Sequence, residues 1–131
     1  MIETPAKTHV LIVEDDPSIQ HSLRTLLGAL GWTFDLAVNY VDANDRITSQ
    51  KYDLIISDNV MPLVAKEAVA PRGLALLENA KLDGPNDKTP FVLHTSDDRE
   101  STKKELARLG GHYRHKTVPA LGEFLKSLVT T

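Results

Sequence analysis

Three short runs in this chain are apolar without interruption and rich in branched or aromatic side chains: Val10-Leu11-Ile12-Val13, Leu54-Ile55-Ile56 and Phe91-Val92-Leu93. A strand with one face in water alternates apolar and polar residues. A run with no alternation belongs to a strand covered on both faces, as in a parallel sheet packed between helices. The stretches between these runs carry a helical period. Ile19, Leu23, Leu26, Leu27 and Leu30 recur at three- and four-residue steps, and Gly31 follows as a helix-ending residue. Further helices are expected over Tyr40–Ser49, over Gly73–Lys81 with Leu74 and Leu77 facing inward, over Asp98–Leu109 before Gly110-Gly111, and through Leu121, Phe124, Leu125 and Leu128. Two more strand-like runs, Thr33–Val38 and His112–His115, are mixed with polar residues and suit sheet edges. Five alternations of strand and helix predict an α/β fold: a doubly wound five-stranded parallel sheet, flavodoxin-like in its order 2-1-3-4-5, with helices on both faces. The length of 131 residues suits one domain spanning 1–131, with an N-terminal tail over about residues 1–7.

Ligands of such sheets bind beyond the carboxyl ends of the central strands. The first run ends in Glu14-Asp15-Asp16, the third in Ser57-Asp58-Asn59, the fourth in His94-Thr95-Ser96 and the fifth in His115-Lys116. The expected strand order makes the first and third runs neighbours and brings Asp58 to the Glu14–Asp15 pair. Asp16 stands apart. It precedes Pro17 where the helical period begins, which is the signature of an N-cap followed by proline at the first helical position. The remaining carboxylates repel one another by an amount on the order of several kcal/mol at the effective dielectric of a protein surface. A hard divalent cation relieves that repulsion, and Mg²⁺ is commonly held by one or two carboxylates with waters and a phosphate oxygen. Acids, a divalent ion, the Thr95 hydroxyl and the Lys116 ammonium together suit phosphoryl transfer, with a carboxylate as nucleophile.

Other classes find little support. The formal net charge is −3 and no basic stripe is present, which argues against direct nucleic-acid binding. No apolar run reaches the ~18 residues of a membrane span, and Met1–Thr8 lacks the pattern of a signal peptide. The chain has no cysteine, which fits a cytoplasmic, reducing compartment. The first strand is not followed by a dinucleotide-binding glycine fingerprint. His112 and His115 are three apart on a strand and point to opposite faces, so they make no metal pair.

The motifs "LIVEDDP", "DNVMP", "HTS" and "YRHK", in this order and at these spacings, resemble the receiver domain of two-component response regulators. The resemblance covers nearly the whole chain. It implies a signalling module rather than an enzyme acting on other substrates. Asp58 would accept a phosphoryl group from a sensor histidine kinase or a histidine phosphotransfer protein. Asp15 would bind Mg²⁺ directly, Glu14 through a water, and the Val60 carbonyl would be a further ligand. Lys116 and Thr95 would hold the phosphoryl group. Thr95 and Tyr113 would act as the switch that reshapes the face made by the fourth helix, the fifth strand of the sheet and the fifth helix, where a downstream target binds. The resemblance fits either a stand-alone receiver or part of a larger regulator or hybrid kinase.

Two departures stand out. Lys116 is followed by Thr117 where the family usually has proline, so a trans bond is expected there. The residues 63–72 also form an insertion between Pro62 and Gly73. It reads either as a tolerated surface loop or, from Leu63, Val64 and Val69, as a lid or partner-contact element. Two alternative functions remain open at this point. One is a receiver-like binding module that is never phosphorylated. The other is an aspartyl-phosphate phosphatase resembling the haloacid dehalogenases, although Val60 stands where that family has a second acid.

Overall fold

The computed structural model describes residues 7–82 and 84–129; residues 1–6 of the expected tail lie outside the described residues. The chain runs β1 (His9–Val13), α1 (Pro17–Ala29), β2 (Thr33–Ala37), α2 (Tyr40–Ser49), β3 (Leu54–Ser57), β4 (Val60–Pro62), β5 (Val69–Pro71), α3 (Gly73–Ala80), β6 (Phe91–Thr95), α4 (Glu100–Arg108), β7 (His112–His115) and α5 (Leu121–Val129). The main sheet is parallel throughout, in the order β2-β1-β3-β6-β7. Counted within that sheet, this is the expected 2-1-3-4-5 order.

The apolar runs occupy the middle because both their faces are buried. Odd and even residues of each run go to opposite sides of the pleat. Leu11, Ile55, Phe91 and Leu93 meet α2, α3 and α4 through Ile47, Leu76, Leu77 and Leu106. Val10, Ile12, Leu54, Ile56 and Val92 meet α1 and α5 through Leu23, Leu27 and Leu125. Each fully buried side chain of this size contributes about 1.5–3 kcal/mol of apolar transfer. The mixed runs become the edges, β2 and β7, whose residues are mostly half-buried.

Local chemistry sets the helix ends. Asp16 caps α1: its Oδ1 accepts from the Ser18 N–H at 2.9 Å, and Pro17 opens the helix. At the other end Gly31 takes φ +75°, and the Trp32 N–H returns to the Leu27 carbonyl at 3.0 Å. In α3 the inward residues are Leu76 and Leu77, whereas Leu74 is only half-buried against the same core. The buried row starts at Gly73, and one residue further on turns Leu74 ~100° away from it. α4 begins at Glu100, two residues later than expected. The Asp97 side chain holds the Arg99 N–H at 3.1 Å and keeps the preceding residues in a turn.

The insertion is not an irregular loop. β4 and β5 pair antiparallel as a separate two-stranded sheet, with Val60 opposite Pro71, Met61 opposite Ala70 and Pro62 opposite Val69. The Arg72 N–H donates to the Asn59 carbonyl at 2.7 Å, so Asn59–Arg72 is a hydrogen-bonded pair. Such pairs alternate along an antiparallel ladder, which leaves Val60–Pro71 and Pro62–Val69 in the positions that exchange no bonds. Both prolines therefore occupy sites where a missing N–H costs no ladder bond. Lys66 turns the hairpin with φ +69°, and the Val41 N–H fastens it to α2 by donating to the Leu63 carbonyl at 3.0 Å.

Candidate functional site

The β1 and β3 ends are held side by side by their own ladder. It extends one bond past β3, where the Asp58 N–H donates to the Val13 carbonyl at 3.0 Å. This brings together one carboxylate oxygen each from Glu14, Asp15 and Asp58, all within 4.8 Å of one another. Glu14 is 2 % exposed and Asp58 9 %. Asp15 is the most solvent-accessible of the three.

Every oxygen of the two buried acids has a defined neighbour. Asp58 Oδ1 accepts from the Asn59 N–H at 2.7 Å and, weakly, from the Val60 N–H at 3.4 Å. Asp58 Oδ2 accepts from Lys116 Nζ at 2.9 Å. Glu14 Oε2 accepts from the Asp16 N–H at 3.1 Å. Its Oε1 lies 2.9 Å from Lys116 Nζ as an ion pair, but off the angle of a hydrogen bond. One lysine thus bridges two acids. Burial raises the Glu14 carboxyl above its ordinary value, and the contact with Lys116 offsets that only in part. Burial alone would lower the Lys116 ammonium, yet its bonds to Glu14 and Asp58 outweigh that and hold it above its ordinary value.

Lys116 reaches these acids without a proline after it. All peptide bonds among the described residues are trans. The Lys116 N–H continues the sheet to the Thr95 carbonyl at 3.0 Å, which sets the direction of the side chain. The turn beyond is closed by the Val118 N–H on the His115 carbonyl at 3.1 Å and by Ala120 at φ +64°.

Val60 heads β4, where its pairing with Pro71 exchanges no ladder bond. Its N–H points toward Asp58 Oδ1. Three carboxylates and one ammonium leave a formal charge of −2. The donor set is oxygen only, as a hard divalent cation requires. Oxygens sharing one Mg²⁺ stand about 3–4 Å apart, from metal–oxygen distances of about 2.0–2.1 Å.

Thr95 is 1 % exposed, and its Oγ1 accepts from the Asp97 N–H at 3.2 Å. The Tyr113 hydroxyl donates to the Asp97 carbonyl at 3.1 Å, and Lys103 Nζ lies 5.0 Å over the Tyr113 ring. Asp97 is a hub absent from the sequence reading. Its carboxylate also accepts from Asn59 Nδ2 at 3.0 Å, from Thr102 Oγ1 at 3.0 Å and from Arg99 at 2.8 Å. Hydrogen bonds from the Arg99 side chain lead in holding its carboxyl well below the usual range. Asn59, next to Asp58, was read only as part of a motif. The signal for both lay in "TSDD" and "SDN", but adjacent acids and amides on loops have many uses, and only the tertiary contact selects one.

The sequence model of the response regulator receiver domain matches residues 10–114. The chain belongs to this family. The matched span holds Glu14, Asp15, Asp58, Val60, Thr95 and Tyr113 and ends two residues before Lys116. Among curated relatives, the response regulator MprA of Mycobacterium tuberculosis is 31 % identical over 100 residues, covering 76 % of this chain and 39 % of that protein. The chain thus spans about two fifths of that relative's length. Two solved structures share the fold. The receiver domain of sensor histidine kinase PA1611 from Pseudomonas aeruginosa, with a magnesium ion in its active-site cleft, has a TM-score of 0.80 at 20 % identity, covering 96 % of this chain and all of that one. The BeF3-activated N-terminal receiver domain of RstA from Klebsiella pneumoniae has a TM-score of 0.78 at 23 % identity, covering 95 % of this chain and all of that one. Among the described residues no helix is long and apolar enough to cross a membrane.

Proposed function

We propose that this chain is a phosphoacceptor module whose Asp58 takes a phosphoryl group from a phosphohistidine on a sensor histidine kinase or histidine phosphotransfer protein. The observation that carries this reading is the pairing of Asp58 with Lys116 at 2.9 Å beside Glu14 and Asp15. In the reaction, an Asp58 carboxylate oxygen attacks phosphorus. The P–N bond to the partner's imidazole breaks with its electron pair left on nitrogen, and an aspartyl phosphate forms. Asp15, Asp58 and the Val60 carbonyl would hold Mg²⁺ directly, and Glu14 through a water. When bound, the ion neutralises charge on the phosphoryl oxygens. Lys116 already bonds Asp58 and is placed to transfer that bond to a phosphoryl oxygen.

The Thr95 hydroxyl proton is the second donor. Thr95 now accepts from the Asp97 N–H, and Tyr113 is tied to the Asp97 carbonyl. A Thr95 drawn to the phosphoryl group loosens the one residue that also anchors Tyr113. That gives a physical link from the site to the face made by α4, β7 and α5, which is where a downstream target would bind. On this reading the chain would work in the cytoplasm, with residues 1–131 acting as a single receiver unit.

Beryllofluoride with Mg²⁺, read by ¹⁹F and ¹H–¹⁵N NMR, tests the reading. A bound fluoride signal that requires Mg²⁺, with amide shifts reaching Asp97 and Tyr113, is expected, and Asp58→Asn should abolish it. A signal unaffected by Asp58→Asn would overturn the assignment of the acceptor. No Mg²⁺-dependent response in the unaltered protein would favour the binding-module reading.

A further inference from the structure

Asn59 follows the acceptor, and its side chain takes no part in the chemistry proposed there. It is 2 % exposed. Its N–H donates to Asp58 Oδ1 at 2.7 Å. Its carbonyl accepts from the Arg72 and Gly73 N–H groups at 2.7 and 2.9 Å, which joins the hairpin and α3 to the same residue. Its side chain crosses to another element, where Nδ2 donates to Asp97 Oδ2 at 3.0 Å. Chemistry dictates that orientation of the amide, because its other end, Oδ1, has no proton to offer a carboxylate. Oδ1 is left buried with no partner among the described residues. An apolar side chain of the same size would avoid that cost. The Nδ2 bond is therefore what an asparagine adds at this position.

The Asp97 carboxylate in turn holds the start of α4. Its Oδ2 accepts from Thr102 Oγ1 at 3.0 Å and from Arg99 Nη2 at 2.8 Å. Its Oδ1 accepts from the Arg99 N–H at 3.1 Å and from Arg99 Nε at 3.0 Å. Arg99 is the N-cap of α4, and Thr102 is a buried residue of its first turn. Both belong to the α4 end itself. Among the described residues, Asn59 is thus the one partner that ties this carboxylate to the segment carrying Asp58. The bonds of Asp97 to Thr95 and Tyr113 use its main chain instead.

We propose that Asn59 is a positioning residue that carries changes at Asp58 to α4 through the Asp97 carboxylate, separately from the Thr95 bond to the Asp97 main chain. The proposal rests on the reading of Asp58 as the phosphoacceptor. The Asn59 N–H bonds an ionised carboxylate, and such bonds are roughly twice as strong as neutral ones. In an aspartyl phosphate the carboxyl is part of a mixed anhydride and carries no charge of its own, so that assistance is lost. The Asn59 carbonyl stays pinned by Arg72 and Gly73, and burial leaves the side chain little freedom. A rotation of the peptide before Asn59 is therefore passed to Nδ2, and from there to the start of α4.

Saturating beryllofluoride with Mg²⁺ stands in for the phosphoryl group, with ¹⁹F NMR reading occupancy and ¹H–¹⁵N NMR reading how far the change extends. In the unaltered protein the Asn59 side-chain NH2 resonance and the amides of residues 99–103 should shift. Asn59→Leu keeps the size and removes the donor. In it the α4 shifts should fall by about twofold or more at equal occupancy, while the Tyr113 shift persists. A role in the fold alone would change both or neither. The proposal is overturned by an Asn59 NH2 resonance that stays in place in the occupied, unaltered protein, a result that needs no variant to fold. It is also overturned by α4 shifts undiminished in Asn59→Leu, or by α4 and Tyr113 shifts that fall together. No bound fluoride in the unaltered protein would overturn the phosphoacceptor reading itself, and this inference with it.

Discussion

Replacing His94 by Leu should change how stability depends on pH, and the size of the effect follows from the burial of the ring. The ordinary histidine value is 6.5, and His94 in the fold titrates at about 4 because burial, then Lys116, disfavours the imidazolium. Arg114 and His115 also act against the proton, and Asp58 alone among the named neighbours favours it. Between pH 6.5 and 4 the unfolded chain therefore binds more protons than the folded one. Stability rises with pH across that window and is lost as pH falls through it. At about 1.4 kcal/mol per pH unit the whole window carries about 3 kcal/mol, of which about 2 kcal/mol lies between pH 7 and pH 5. Glu14 works in the opposite direction, since burial holds its carboxyl above the ordinary value and its protonation favours the fold. That contribution is common to both proteins and cancels in their difference. Thermal unfolding followed by circular dichroism at pH 7, 6 and 5 is the assay. At ~4 °C per kcal/mol for a chain of this length, the parent should lose about 8 °C more than His94→Leu between pH 7 and pH 5. Parallel curves for the two proteins would refute the claim that His94 is buried neutral.

Gly73 supports the Asp58 segment from below. A Cβ there would meet Asn59 Cα and the Asp58 carbonyl at 2.8 Å each, backbone atoms that cannot swing aside. Gly73→Ala should cost about 1–3 kcal/mol and weaken Mg²⁺ binding measured by titration, and an unchanged melt with unchanged Mg²⁺ affinity would contradict the packing argument. Ala120 holds φ +64°, so Ala120→Gly should stabilise the protein by about 0.5–1 kcal/mol; a lower Tm would show that the turn is unstrained. Lys116→Met leaves Glu14 and Asp58 without their shared partner. It should destabilise the fold by about 3 kcal/mol without Mg²⁺, and Mg²⁺ should raise its Tm by more than that of the parent. Equal Mg²⁺-induced shifts would mean that the ion does not relieve the acids' repulsion.

The main sheet could be read from the sequence because burial on both faces leaves unmistakable marks. Val10–Val13, Leu54–Ile56 and Phe91–Leu93 have no polar interruption, and the mixed runs fell at the edges. The division within "EDDP" was also legible, because an Asp–Pro pair at the start of a helical period has one dominant local use. The hairpin over 60–62 and 69–71 was not. Its strands are three residues long, each ends in proline, and its turn places Lys66 rather than glycine at positive φ. Local sequence therefore argues against a strand, and only the alternation of bonded and non-bonded pairs makes the prolines acceptable. The aim of Lys116 was hidden for a similar reason. The residues after it depart from the family's usual pattern, but the direction of the side chain is fixed by the β6–β7 ladder before it. Asp97 was not singled out, and His94 was named only as part of a motif, because their surroundings exist only through partners far along the chain, such as Asn59 and Tyr113 for Asp97 and the α1 and α5 side chains for His94.

The central claim is that Asp58 is the phosphoacceptor and that its chemistry needs the neighbouring acids to hold Mg²⁺. The most direct test is intact-mass and fragment mass spectrometry after incubation with acetyl phosphate. The account predicts a single added phosphoryl group, mapped to Asp58, formed with Mg²⁺ and not with a chelator, and absent from Asp58→Asn. A phosphoryl group found on another residue, or formed equally well without Mg²⁺, or no phosphorylation of the unaltered protein at all, would contradict it.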